Sequence, residues 1–332
     1  MTDDSEYLAP LTAALSKRFG MMRVTSLARL SGGASQETFS VDADGGLSGA
    51  FIWRRRPAEA LQDDWTRLDP QTEAAVIEAA SDAGAPVPTV ICVFEPDDGI
   101  GEGFLMTRVK GEALGPRILR DPKFDAVRPR LAAECGSILA KLHGIPVVSL
   151  PPLPAPKIDT DIARWREILA RLDDHRPVFA LAMRWLIDNR PPPRPITFVH
   201  GDFRLGNLLV SERRVEAVLD FELAHLGEPA EDLGWMCAPS WRFGNLDKPV
   251  GGFGAREDFL NAYLGAGGDV SAPSRLRYFE IFGALKWGVI CASAKEAMRS
   301  GVDRSIERAM IARRASEAEI DLLTYLDRPE EI

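Results

Sequence analysis

The period of the apolar pattern changes once along this chain, and the change falls near Gly111. Before it, apolar residues come in short runs at 24–41, 50–53, 90–94 and 103–109, separated by glycine-containing turns. Such runs read as β-strands in hairpins. Two helical patterns accompany them. Leu8, Leu11, Leu15 and Phe19 recur at helical spacing up to Gly20, and a helix-favouring stretch over 71–83 stops at Gly84. After Gly111 helical periodicity takes over, at about 125–143, 159–173, 177–189, 228–239, 254–264, 272–299 and 304–326. The pattern predicts an α+β chain in two lobes: a small antiparallel β-sheet lobe with a helix over residues 1–108, and a larger, mainly α-helical lobe over 109–332. At 332 residues the chain exceeds what one hydrophobic core usually serves. The proline-rich PVVSLPPLPAPK and RPPPRP are surface connections, read equally as linkers or as substrate-contacting loops, because consecutive prolines continue neither a helix nor an interior strand.

Charge narrows the partners. A formal charge of −9 argues against nucleic acid, whose backbone needs a basic footprint; Arg54, Arg55 and Arg56 are too few to supply one. Cys92, Cys135, Cys237 and Cys291 are too widely spaced for a redox pair or a metal knuckle, and read as reduced thiols of a cytoplasmic protein. The four histidines form no HxxxH or HxH grouping. The acidic start MTDDSEYLAP does not look like a secretory signal. The longest strongly apolar stretch, 281–294, is too short to span a bilayer and is interrupted by Lys286, so it reads as a buried helix and no membrane is expected as a partner.

Chemistry concentrates at 197–222. Thr197-Phe198-Val199-His200-Gly201-Asp202 leads into Asn207, then two apolar runs, Leu208–Val210 and 215–219, and then Asp220-Phe221-Glu222. The two runs predict a hairpin that brings Asn207 and Asp220 together at its open end. Phosphoryl transfer asks little covalent work of a protein: it needs a carboxylate to orient the attacking hydroxyl, and Mg²⁺ to hold the phosphates. Asp202 suits the first role. Asn207 and Asp220 suit the second, since magnesium takes one or two side chains plus nucleotide oxygens and water. Neither a GxSxG elbow nor a GxxxxGK[ST] phosphate loop is present.

His200-Gly201-Asp202-x-x-x-x-Asn207 followed by Asp220-Phe221-Glu222 resembles the aminoglycoside phosphotransferase family, relatives of the protein kinases, whose catalytic loop has the same aspartate-to-asparagine spacing. The resemblance implies a protein-kinase-like fold, ATP or GTP with Mg²⁺ as cofactors, and a small-molecule hydroxyl as the phosphoryl acceptor, in a monomer or homodimer. It also implies that His200 and Asp232 support the catalytic loop, and that Leu30–Phe39, with Gly32, Gly33 and Ser35, is the nucleotide loop. Phe51-Ile52-Trp53-Arg54 stands where kinases carry V-A-I-K; strand alternation lets Ile52 touch the base while Arg54 reaches the phosphates. Glu73 or Glu78 would pair with Arg54. Phe104-Leu105-Met106-Thr107-Arg108-Val109 resembles the strand and hinge between the lobes, where backbone groups at Thr107 to Val109 would pair with a purine edge and Met106 and Arg108 would belong to the nucleotide site. His143 more often caps or packs than does chemistry. The motif style is closest to the acyl-CoA-dehydrogenase-associated subgroup, which implies a hydroxy acid or hydroxyacyl-CoA acceptor; aminoglycosides, other antibiotics or a non-catalytic pseudokinase are the alternatives.

Overall fold

The computed structural model describes residues 4–30, 36–56, 65–301 and 305–327. Its β-strands are β1 (Met22–Arg29), β2 (Glu37–Gly45), β3 (Gly49–Arg55), β4 (Val90–Phe94), β5 (Gly103–Thr107), β6 (Thr197–Val199), β7 (Leu208–Val210), β8 (Val215–Val218) and β9 (His225–Gly227). Its α-helices are α1 (Leu8–Phe19), α2 (Pro70–Asp82), α3 (Gly115–Arg120), α4 (Arg128–His143), α5 (Ile158–Arg171), α6 (Pro177–Asp188), α7 (Ala230–Cys237), α8 (Arg256–Gly265), α9 (Leu276–Ser300), α10 (Ile306–Ala312) and α11 (Ala315–Asp327).

The first five strands form one antiparallel sheet in the order β1-β2-β3-β5-β4. Because side chains alternate across a strand, the sheet has two apolar faces. Phe39, Val41, Phe51, Trp53 and Leu105 bury one face under Leu11 and Leu15 of α1. Phe39 stacks on Trp53 at 5.1 Å between ring centroids. Ile52, Phe104 and Met106 face the other way and join the larger core, which continues through α2 into the helical lobe. Register places Ile52 opposite Met106 and Arg54 opposite Phe104, so Arg54 shares the inward face. Helix α2 starts sharply because Asp69 accepts from the Thr72 N–H at 2.9 Å and Pro70 occupies the first turn.

In the helical lobe the 25-residue α9 is the central rod, packed by α5, α6, α7, α10 and α11. Its crossing with α7 is close: a Cβ on Gly234 would lie 2.5 Å from the Phe279 carbonyl carbon, so only glycine fits. One expectation needs correction. The segment 304–326 is two helices, α10 and α11, broken at Arg313-Arg314 without glycine or proline; Arg314 turns inward there, its guanidinium 5.3 Å from the Trp287 ring centre. The short α3 and the β6–β9 pair had no readable pattern. Among the described residues no helix is long and apolar enough to cross a membrane.

Candidate active site

The segment after β6 turns at Gly201, whose φ is +81°. A Cβ there would lie 2.5 Å from the Leu223 carbonyl oxygen, so glycine is required twice over. The turn is clamped by Asp232 in the first turn of α7, a fully buried carboxylate. Its Oδ2 accepts from the His200 N–H at 2.7 Å and its Oδ1 from the Gly201 N–H at 2.9 Å. His143 Nε2, at the end of α4, donates to Oδ2 from 3.1 Å, and His143 Nδ1 meets the Tyr263 hydroxyl at 3.0 Å. Burial pushes the Asp232 carboxyl up, but these donors and the neighbouring imidazoles outweigh it and hold it below the usual carboxylate range.

His200 is a second brace. Its Nε2 donates to the Leu219 carbonyl at 3.1 Å, while Nδ1 accepts from the Asp202 N–H at 3.2 Å. One ring thus ties the loop carrying Asp202 to the residue preceding Asp220. That requires neutral imidazole, and burial lowers the His200 pKa accordingly, against the pull of Asp232, Asp202 and Asp220.

Asp202 is held on both oxygens. Oδ1 accepts from the Trp235 indole at 2.8 Å and from Arg204 Nε at 2.9 Å. Oδ2 accepts from Asn207 Nδ2 at 2.6 Å, and the same amide donates to the Asp202 carbonyl at 2.9 Å. An ionised carboxylate offers about four lone-pair sites, so Oδ2 keeps capacity for one further donor. Both amide hydrogens of Asn207 serve Asp202, which leaves its Oδ1 as an acceptor with no partner among the described residues. The β7–β8 hairpin forms as its two runs imply, Leu208 opposite Val218, and the Leu219 N–H donates to the Asn207 carbonyl at 2.8 Å. Asn207 and Asp220 therefore flank the hairpin's open end. Asp220 has φ +65°, a left-handed conformation that aspartate tolerates better than most residues.

Across the cleft Arg54 gathers the acids. Its guanidinium lies 3.1 Å from Glu73 Oε1, 2.9 Å from Asp220 Oδ1 and 3.4 Å from Glu222 Oε2. Gln36 completes the ring, accepting from Arg54 Nε at 3.3 Å and donating to Glu73 Oε2 at 2.8 Å. Glu222 also pairs with Arg67. Burial is the largest influence on both Asp220 and Glu73. For Asp220 the charge and hydrogen bond of Arg54 overcome it, and the carboxyl sits below its usual range. For Glu73, fully buried, desolvation prevails over Arg54 and pushes it up to about 7, helped by the charges of Asp220 and Glu222.

Of the residues expected at the site, Asp202, Asn207, Asp220, His200 and Asp232 form one connected network, and Arg54 with Glu73 joins it through Asp220. Glu73 and not Glu78 faces Arg54; Glu78 is exposed. The Arg54 guanidinium is engaged by carboxylates instead of standing clear for phosphates. Ile52 and Met106 lie on the inward face of the sheet. The Arg108 N–H is committed to the Ala50 carbonyl at 3.0 Å and its guanidinium to Asp42 at 2.6 Å, so a purine edge would have to use neighbouring groups. Gly32, Gly33 and Ser35 lie outside the described residues. Trp235 and Arg204 carried no expectation, and Gln36 was expected only as part of the nucleotide loop, not beside Arg54 and Glu73. Gln36 had a usable signal: Thr38 pairs with Arg54, which makes Gln36 the diagonal neighbour on the same face.

A two-lobed fold with this loop, hairpin and cross-cleft pair is that of the kinase-like phosphotransferases. The family model described as "Phosphotransferase enzyme family" matches residues 26–277, and the chain belongs to that family. Among curated relatives, acyl-CoA dehydrogenase family member 11 of Homo sapiens is 30% identical over 230 residues, 65% of this chain and 28% of that protein. Acyl-CoA dehydrogenase family member 10 of Mus musculus is 27% identical over 204 residues, 56% of this chain and 18% of that one. The chain thus spans well under half of the length of these relatives. Solved structures share its fold: an aminoglycoside phosphotransferase in ternary complex with AMP-PNP and hygromycin B (TM-score 0.63, 16% identity, covering 96% of this chain and 97% of that one). A choline/ethanolamine kinase family protein from Mesorhizobium loti has a TM-score of 0.61 at 18% identity, covering 97% and 94%.

Proposed function

We propose that this phosphotransferase moves the γ-phosphoryl group of ATP, or GTP, to the hydroxyl of a hydroxy acid or hydroxyacyl-CoA, with residues 1–108 holding the nucleotide and 109–332 the acceptor and the chemistry. The observation that carries the reading is Asp202, fixed by three side-chain donors with one acceptor site to spare, beside an amide oxygen of Asn207 that has no partner among the described residues. That oxygen and Asp220 make a fitting pair for Mg²⁺, which needs only one or two side chains when phosphates supply the rest. Bound there, the ion neutralises charge on the phosphates and orients them. Asp202 orients the acceptor hydroxyl. As the hydroxyl oxygen bonds to the γ-phosphorus, the bond to the β,γ-bridging oxygen breaks, the nucleoside diphosphate leaves with the electron pair, and the hydroxyl proton passes to Asp202. Arg54, anchored by Glu73, holds Asp220 in place. The acceptor class is supported by the acyl-CoA dehydrogenase family relatives. The antibiotic-modifying neighbour, at 16% identity, supports the fold alone.

The test is transfer from γ-labelled ATP with Mg²⁺ to hydroxy acids, hydroxyacyl-CoA thioesters and aminoglycosides, for wild type and Asp202→Asn. Labelled product from the first two classes that vanishes in the variant is expected; product only from aminoglycosides, or none from any class, overturns the reading.

A further inference from the structure

Lys286 breaks the longest apolar run of the sequence, and the proposed chemistry leaves it unexplained. On α9 its neighbours Leu285 and Trp287 are buried, yet Lys286 points its ammonium at the catalytic loop: Nζ donates to the Gly201 carbonyl, one residue before Asp202, at 2.9 Å. It also lies 4.8 Å from the ring centre of Trp235, the tryptophan that holds Asp202. One hydrogen bond and one aromatic face are its contacts; Asp161 acts on it by charge, but no carboxylate among the described residues forms an ion pair with it. A half-buried ammonium so poorly compensated costs stability unless a ligand completes it.

The ammonium opens onto a recess of about 90 Å³ next to Leu223 and Ala224, between α5 and α9. Its apolar lining includes Trp65, Trp165 and Phe282, with Trp165 and Phe282 packed at 4.8 Å between ring centroids. That volume admits a short carbon chain and excludes a multi-ring sugar. Two of its charged residues satisfy each other, His225 Nε2 and Glu231 Oε2 at 3.0 Å. Arg164 lies 5.9 Å from the centre of the Trp65 ring. Asp161 makes no side-chain hydrogen bond among the described residues; burial, then the charge of Glu231, pushes it up to about 6 against the opposing charge of Lys286, so at neutral pH it stays mostly anionic and competes with a bound anion for the ammonium. The group that touches the catalytic loop beside Asp202 is the Lys286 ammonium, through the Gly201 carbonyl.

Resting on the function proposed above, we propose that Lys286 selects the acceptor. Its ammonium takes a carboxyl-derived oxygen, of a free acid or of a thioester, on the molecule whose hydroxyl faces Asp202, while the short apolar part of that molecule fills the recess between Trp165 and Phe282. Neutral alcohols lack this contact, and ammonium-bearing alcohols are repelled by it.

The probes are 3-hydroxybutanoate, 3-hydroxybutanoyl-CoA and 1,3-butanediol, each offered with ATP and Mg²⁺ to wild type, Lys286→Met, Lys286→Arg and Asp161→Asn, every variant first checked for folding by circular dichroism. Wild type prefers a carboxyl compound to the diol, and which of the two it prefers identifies the free acid or the thioester as source. Lys286→Met raises KM for the preferred carboxyl compound at least tenfold with less than a twofold change for the diol, and Lys286→Arg restores part of the loss. Asp161→Asn lowers KM for the free acid about twofold, because a competing negative charge is gone. An equal fall in kcat for all three probes in Lys286→Met, at unchanged KM, assigns Lys286 to bracing Gly201 and overturns the proposal. So does a raised KM in Asp161→Asn, which marks an acceptor held by its own positive charge, and so does transfer to the diol alone, or to none of the three while ATP is still hydrolysed. Absence of any Mg²⁺-dependent ATP turnover in wild type counts instead against the phosphotransferase reading on which this one rests.

Discussion

Two carboxylate sites face each other across the cleft and are built on opposite plans. Around Asp202 and Asp232, donors match acceptors: Asp232 takes two backbone N–H groups and one imidazole, Asp202 takes an indole, a guanidinium and an amide. Around Arg54, one guanidinium serves three carboxylates, and one of them, Glu73, is left with its pKa near 7. A network in which every carboxylate oxygen already has a donor is rigid and needs no ligand to be in shape. A cluster short of positive charge is completed by what it binds. The difference teaches where preorganisation resides: the loop of Asp202 is held in shape without a ligand, whereas the Arg54 cluster, which both lobes build, is what nucleotide and cation would finish under the function proposed above.

Variants can break that contrast in order of size. Asp202→Asn is expected to lower kcat by about 10²–10⁴-fold, the usual worth of a positioned base, with nucleotide affinity unchanged in calorimetry; a matching loss of affinity would show that the loop is not independent of the nucleotide site. Asp232→Ala strands two buried N–H groups and a histidine and should cost about 3–5 kcal/mol in denaturant unfolding, where a loss below 1 kcal/mol would mean the loop is not braced there. Glu73→Gln is the mild probe of the acidic side. Between its ordinary value of 4.5 and about 7, the unfolded chain releases the Glu73 proton while the folded protein keeps it. The contribution of Glu73 to stability is therefore full below pH 4.5 and is lost as pH rises through 7. Stability of Glu73→Gln measured across that window should fall less steeply with pH than that of wild type, and identical slopes would place the Glu73 pKa near its ordinary value.

What could be read from the sequence follows from how far apart the partners lie. The β7–β8 hairpin, with Asn207 and Asp220 at its open end, was legible because two short strands close a local loop, and the side of β3 that carries Arg54 followed from alternation. Choosing Glu73 over Glu78 needed the packing of α2 under the sheet, since both residues suit a helix. His143 and Asp232, 89 residues apart, and Lys286 and Gly201, 85 apart, carry no mark of each other in sequence. Trp235 is buried in the core, yet its one polar atom reaches Asp202, a contact with no mark in the sequence. The break between α10 and α11 was invisible because it is made by Arg314 seeking Trp287 and the Ser240 carbonyl, a tertiary demand that overrides local helix propensity.

The central claim is that Asp220 holds the cation through which nucleotide completes the acidic side of the cleft. Asp220→Asn isolates it, because asparagine accepts the same left-handed backbone. Titration of AMP-PNP by calorimetry, with and without Mg²⁺, should show wild-type binding that tightens with the metal and Asp220→Asn binding that does not respond to it. Equal Mg²⁺ dependence in the two proteins, or no nucleotide binding by wild type, would contradict the account.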